Sequence, residues 1–140
     1  MKVRDVMSRQ VIRIGAEEPA EVAARTLTHY NIGALPVCGG DGRLCGVVTD
    51  RDLVTRCMAQ GRNAGNVRVR DVMTGRVVAA APDMSLGAAA ELMGREQVRR
   101  LPVVEQGRLC GLVSLADLTD NRLPEAAKTL AQITKSISRK

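Results

Sequence analysis

The stretch "GRLCGVVTDRDL", Gly42 to Leu53, returns as "GRLCGLVSLADL", Gly107 to Leu118. In both copies an apolar run broken by a glycine leads to a hydroxyl residue, and an aspartate follows three positions later: Thr49 and Asp52, Ser114 and Asp117. A sentence written twice is either a duplicated structural corner or one binding site present in two copies, and the choice decides what the chain does.

Working outward, the duplication covers most of the chain. "VRDVMS" from Val3 matches "VRDVMT" from Val69, and "IGALPV" from Ile32 matches "VRRLPV" from Val98, each at a shift of 66. From "GRLCG" onward the shift is 65, because "CGGDGR" has become "VEQGR". That loss falls at a turn tip, where deletions are tolerated.

Ala20, Ala23, Ala24 and Leu27 lie at i, i+3, i+4 and i+7 and so share one helix face; moved by 66 they become Leu86, Ala89, Ala90 and Met93. This spacing predicts helices over about 19–30 and 85–96, with Pro19 in the first turn of one and Ser85 capping the other. Strands are expected at 11–14 and 77–80, at 34–38 and 100–104, and at "LCGVVT" and "LCGLVS", with a second helix starting near Asp50 or Leu115.

The order argues for an α/β (α+β) fold with helices on one sheet face. A repeat of about 60 residues makes a small core, which pseudo-two-fold packing of two copies would enlarge. After Pro124, Ala126, Leu130, Ile133 and Ile137 form a last helical stripe that needs a partner, either the body of the molecule or a second subunit.

Composition narrows the function. The 140 residues are 45% hydrophobic and 26% charged, with one Tyr and no Phe or Trp, so Val, Leu, Ile, Ala and Met must build the core. No window reaches the ~20 apolar residues of a membrane span, and "MKVRDVMSRQ" meets charge too early for a secretory signal.

Cys38, Cys45, Cys57 and Cys110 make no C-x-x-C pair and lack zinc-ligand spacing. They read as buried, reduced thiols of a cytoplasmic protein, with a Cys38–Cys45 bridge across a hairpin as the alternative. His29 is the only histidine, and neither a Gly-x-Gly-x-x-Gly nor a P-loop pattern occurs. Nothing here indicates an enzyme.

The net charge of +6 favours anionic partners: nucleotides, nucleic acid or acidic lipid. Lys128, Lys135, Arg139 and Lys140 gather near the C-terminus, yet there is no aromatic platform for stacking bases. Nucleic acid is therefore the weaker partner beside a nucleotide.

The corner has two readings. A Thr or Ser at an N-cap with an acid three residues on resembles a capping box, with Asp in place of Glu. The same corner offers free N–H groups, the positive end of a helix, a hydroxyl donor and a carboxylate able to hold a ribose, while Gly46 and Gly111 permit close backbone approach or relieve a bend.

The ordered set Leu35-Pro36-Val37 with Gly46-Val47-Val48-Thr49-Asp50-Arg51-Asp52, and Leu101-Pro102-Val103 with Gly111-Leu112-Val113-Ser114-Leu115-Ala116-Asp117, resembles a tandem CBS-domain protein. Such a pair is a Bateman module, here of the small stand-alone bacterial type, with domains over 7–66 and 73–131. The resemblance implies two β-α-β-β-α repeats packed sheet to sheet with pseudo-two-fold symmetry. It also implies clefts for AMP, ADP, ATP or S-adenosylmethionine, with no cofactor required.

On the matching positions, Thr49, Asp52, Ser114 and Asp117 would hold phosphate and ribose, and Gly33, Ala34, Arg99 and Arg100 would line the clefts. Arg13 and Ala79 stand where the family often places an adenine-pocket threonine, so the two sites should differ; Arg13 would block the base or grip a phosphate. The expectation is a non-catalytic, cytoplasmic adenosine-nucleotide sensor. It would be a homodimer touching through the helix that presents Ala20, Ala24 and Leu27, its copy-two equivalent, or the C-terminal stripe. The alternatives are a ligand-free dimerisation module and a basic nucleic-acid-binding protein.

Overall fold

The helix face of Ala20, Ala23 and Leu27 is buried, and so is its repeat of Leu86, Ala89, Ala90 and Met93. The structure, a computed structural model, describes residues 1–121. In chain order it contains α1 (Val3–Val6), β1 (Ile14–Gly15), α2 (Ala20–Tyr30), β2 (Ala34–Cys38), β3 (Leu44–Thr49), α3 (Asp50–Arg56), α4 (Val69–Val72), α5 (Leu86–Glu96), β4 (Arg100–Glu105), β5 (Arg108–Ser114) and α6 (Leu115–Asn121). The C-terminal stripe from Ala126 to Ile137 and the basic residues Lys128 to Lys140 lie outside the described residues.

Each repeat pairs its central strands as an antiparallel hairpin, β2 with β3 and β4 with β5. β1 adds to β2 in parallel, Ile14 opposite Val37, and the second repeat keeps only a single parallel bridge, Ala80 to Val103. These first strands are shorter than the predicted 11–14 and 77–80. The chain up to Val11 is engaged on a different unit, so only the end of the segment reaches the β2 edge.

Both long helices stop at residues in the left-handed conformation, Asn31 (φ 53°) and Gln97 (φ 59°). As expected, Ser85 caps α5, its hydroxyl accepting the Ala88 N–H at 3.1 Å.

Two compact units result. One is Ile12–Val77; the other joins residues 1–11 to the chain from Val78 onward. In the first, Ile14, Leu35, Val37 and Val48 pack with Ala20, Ala23 and Leu27. In the second, Leu101, Val103 and Val113 pack with Leu86, Ala90 and Met93. Because Ala20 and Leu27 serve their own unit's core, only half-buried Ala24 of the expected dimer face is left for a partner.

"LCG" is repeated because it encodes the same irregularity twice. Register passes from Val37–Gly46 to Cys38–Leu44, leaving Cys45 extra, and from Val103–Gly111 to Val104–Leu109, leaving Cys110 extra. Each is a β-bulge. The extra thiol donates to a carbonyl of the facing strand: Cys45 Sγ to Val37 O at 3.3 Å, Cys110 Sγ to Val103 O at 3.4 Å. Burial pushes the Cys38, Cys45 and Cys110 thiols up from their ordinary values, and all four cysteines are free.

"VRDVM[ST]" forms a strap, a single helical turn followed by a bridge. Its aspartate closes the turn: Asp5 accepts the Lys2 N–H at 2.8 Å, Asp71 the Arg68 N–H at 3.3 Å. Ser8 exchanges two hydrogen bonds with Leu112, both 2.9 Å, and Thr74 exchanges two with Val47, 2.8 and 3.0 Å.

The strap crosses over the two motif glycines. A Cβ on Gly46 would lie 2.6 Å from Met73 Sδ and 2.7 Å from the Thr74 carbonyl; on Gly111 it would lie 2.6 Å from Met7 Sδ and 3.0 Å from the Ser8 carbonyl. A methionine can swing away, but a bonded backbone carbonyl cannot. Gly46→Ala should therefore cost about 1–3 kcal/mol of stability, and Gly111→Ala less, each read as a lowered urea midpoint.

Candidate functional site

The quoted sentence folds into a strand-to-helix corner in each unit. Thr49 is the N-cap of α3: its hydroxyl accepts the Asp52 N–H at 3.0 Å, while Asp52 Oδ2 accepts the Thr49 N–H at 3.0 Å. Ser114 and Asp117 repeat this with Asp117 N–H to Ser114 Oγ at 3.2 Å and Ser114 N–H to Asp117 Oδ2 at 2.7 Å. The capping reading of the corner is thus met geometrically in both copies. Asp is short for this task, but here it reaches because the cap residue is extended (φ −117°, ψ 164° at Thr49).

Asp52 is the buried charged residue of the described part, 7% exposed. Its other oxygen lies 3.6 Å from Arg56 one turn on, and Arg56 also donates to the Val72 and Met73 carbonyls at 3.0 and 2.9 Å. Arg56 therefore ties the corner to the strap. Sequence reading passed over it, although the i,i+4 spacing from Asp52 was its signal.

The residues before Leu-Pro reach the same corners. Asp50 N–H donates to the Gly33 carbonyl at 3.1 Å and Leu115 N–H to the Arg99 carbonyl at 2.7 Å, so the two corner loops are built alike. Ala34 faces Thr49 across the hairpin, and Arg100 faces Ser114. Directly paired residues point to one side of a sheet. Arg100, with Pro102 and Leu112, therefore shares the Ser114 side, away from Leu101 and Val113 on the helix-packed side.

Arg99 precedes the strand, and both arginines are exposed. Asp50, also overlooked, stands over Gly33: a Cβ there would lie 3.6 Å from its carboxylate.

Arg13 and Ala79 stand away from the corner of their own unit. Arg13 stands beside the Cys38 thiol, where its charge partly offsets the upward shift caused by burial. Cys38 is four residues along β2 from Ala34, about 13 Å at 3.3 Å per residue. Ala79 is half-buried beside the Ala80 bridge. His29 ends α2, exposed, with its ring edge-on to Tyr30 at 4.7 Å. A shallow concavity of about 530 Å³ lies along α2 between Glu21 and His29 and includes no corner residue.

Comparison with known proteins fixes the family. The CBS-domain family model matches residues 3–59 and 69–132. A CBS domain-containing protein of Bacillus subtilis, YhcV, is 41% identical over 121 residues, spanning 86% of this chain and 85% of that protein. The crystal structure of Hypoxic Response Protein I with two coordinated zinc ions superposes with a TM-score of 0.77 at 33% identity, over 86% of this chain and 98% of that one.

The CBS domain pair of protein MJ0100, in complex with 5′-methylthioadenosine and S-adenosyl-L-methionine, superposes at 0.70 with 26% identity, over 86% and 98%. The chain belongs to the CBS-domain family and is a CBS-pair regulatory module. Among the described residues no group of three or more His, Cys, Asp or Glu side chains could hold a metal ion. No helix among them is long and apolar enough to cross a membrane.

The caps alone predict a stability effect. Thr49→Ala and Ser114→Ala should each cost about 1 kcal/mol, as N-cap removal does. Asp52→Ala should cost more, because it also strands the part-buried Thr49 N–H; urea denaturation of the three variants checks the order.

Proposed function

We propose that this CBS pair binds an adenosine ligand (AMP, ADP, ATP or S-adenosylmethionine) at its strand-to-helix corners, and acts as a cytoplasmic homodimeric sensor without catalysis of its own. The observation that carries the reading is the likeness to a CBS pair in complex with two adenosyl compounds, in a chain whose two corners each present a hydroxyl and a carboxylate three residues apart. Thr49 and Ser114 would donate to phosphate, Asp52 and Asp117 would hold the ribose, and the residues before Leu-Pro would frame the ligand: Gly33 and Ala34 in one copy, Arg99 and Arg100 in the other.

The completed capping boxes favour one competing reading, a dimerisation module that takes no ligand. A separation-of-function variant divides the two. Asp52→Glu and Asp117→Glu place the preferred capping-box residue at the third helical position, so the cap survives. The carboxylate nevertheless moves by a methylene. If it holds a ribose, calorimetry should show adenosyl affinity falling about tenfold or more while the melting temperature stays put. Unchanged affinity would leave the corners as caps.

A thermal-shift screen with AMP, ADP, ATP and S-adenosylmethionine comes first, since ligand at 100 times its Kd should add about 2.7 kcal/mol of stability. Arg100→Ala should then weaken AMP and ATP by roughly 10- to 150-fold and adenosine far less. Arg99→Ala should do little, because Arg100 is the one paired with Ser114.

A further inference from the structure

The unit that joins residues 1–11 to the chain from Val78 contains a cavity of about 200 Å³ lined by Arg4, Met7, Arg9, Pro82, Glu105 and Cys110. It is separate from the corner of the same unit. Cys110 and Ser114 are four residues apart on β5, about 13 Å along the strand. The volume is below the 300–1,000 Å³ of a drug-sized ligand site, and it suits a small ion better than a nucleoside.

The cavity brings two guanidinium groups and one carboxylate together. Among the described residues Arg4 and Arg9 make no ion pair or side-chain hydrogen bond, so neither guanidinium is committed to a carboxylate as Arg68 and Arg70 are. The repeat supplies an internal control. Arg4 corresponds to Arg70, which Glu17 holds at 2.8 Å together with Arg68 at 2.9 Å. The counterpart of Glu17 is the shorter Asp83, which pairs with neither Lys2 nor Arg4.

Arg9 corresponds to Gly75, Pro82 to Ala16 and Glu105 to Gly39, so the second guanidinium, the proline wall and the carboxylate belong to this unit alone. Arg9, Glu105 and Cys110 share the cavity lining, where burial pushes the Cys110 thiol up, Glu105 adds to that shift and Arg9 opposes it.

We propose that this cavity is an oxyanion site, selective for a protonatable tetrahedral anion: phosphate or a small phosphate monoester. Arg4 and Arg9 supply charge-assisted donors to two of its oxygens. Glu105 sets the selectivity. At neutral pH phosphate carries a proton that a carboxylate can accept, whereas sulfate has none and meets only repulsion. The site is independent of the adenosine-binding proposal and stands or falls without it.

Titration calorimetry of the intact chain with inorganic phosphate at low ionic strength should show saturable binding, weaker for sulfate. Arg4→Gln and Arg9→Gln should each weaken phosphate on the order of tenfold to a hundredfold. Arg70→Gln, which removes one of the two arginines on Glu17 in the other unit, should leave it unchanged. Glu105→Gln should remove the preference over sulfate.

Phosphate should also slow alkylation of Cys110 and leave Cys45 at its own rate. Competition by glycerol phosphate would identify the ester as a source of the anion; its exclusion would identify the free ion. No saturable phosphate heat, or Arg9→Gln binding like wild type, overturns the site. Sulfate binding as tightly as phosphate overturns the role of Glu105.

Discussion

The fold depends on a close approach of two backbones. Where the strap crosses the motif strand, the Thr74 carbonyl sits 2.7 Å, and the Ser8 carbonyl 3.0 Å, from where any side chain on Gly46 or Gly111 would begin. Glycine lets the Val47–Thr74 and Ser8–Leu112 hydrogen bonds form without displacing the strap, most stringently at Gly46. Those bonds draw Val69 and Val3, both fully buried, into the two cores. They also account for a sequence duplicated with such care: glycine, bulge cysteine and strap methionine meet as one unit. A change in one of them disturbs the other two.

The same geometry builds the corner. Residues from Gly46 to Thr49, or Gly111 to Ser114, are held on one edge by the strap and on the other by the hairpin. The helix therefore starts at a fixed place. A hydroxyl and an aspartate three residues apart then satisfy the first helical turn without a ligand. A corner already bonded to itself is rigid before anything binds, which reduces the ordering cost of recognition. A ligand must instead share or displace the Asp52 and Asp117 contacts, and Asp52 is further committed to Arg56. The two copies differ in the Arg100 and Ala34 that face their cap residues.

Much of this was legible in the residues. Ala20, Ala23 and Leu27 and their repeat announce the buried helix faces, and "LCGVVT" and Ala34–Cys38 mark strands whose limits the structure keeps. Capping by Thr49 and Ser114 follows from local chemistry that needs only three residues of chain. What the sequence does not carry is pairing between distant segments. "VRDVMS" and "VRDVMT" are nearly interchangeable, and nothing local says that Met7 covers Gly111 while Met73 covers Gly46. The first strands were overestimated for the same reason: their length is limited by where the preceding chain is engaged. Of the site residues, Arg13 and Ala79 were the least legible, because their place depends on how far a parallel edge strand runs.

The central claim is that the repeated sentence is both a structural corner and a binding site. An amide chemical-shift map of the isotope-labelled chain, titrated with AMP and separately with S-adenosylmethionine, tests it most directly. The account predicts saturable shifts concentrated at the amides of Thr49 to Asp52, of Ser114 to Asp117, or of both, while the strap amides of Ser8 and Thr74 stay in place. Saturation with both ligands and no movement of either corner would contradict it.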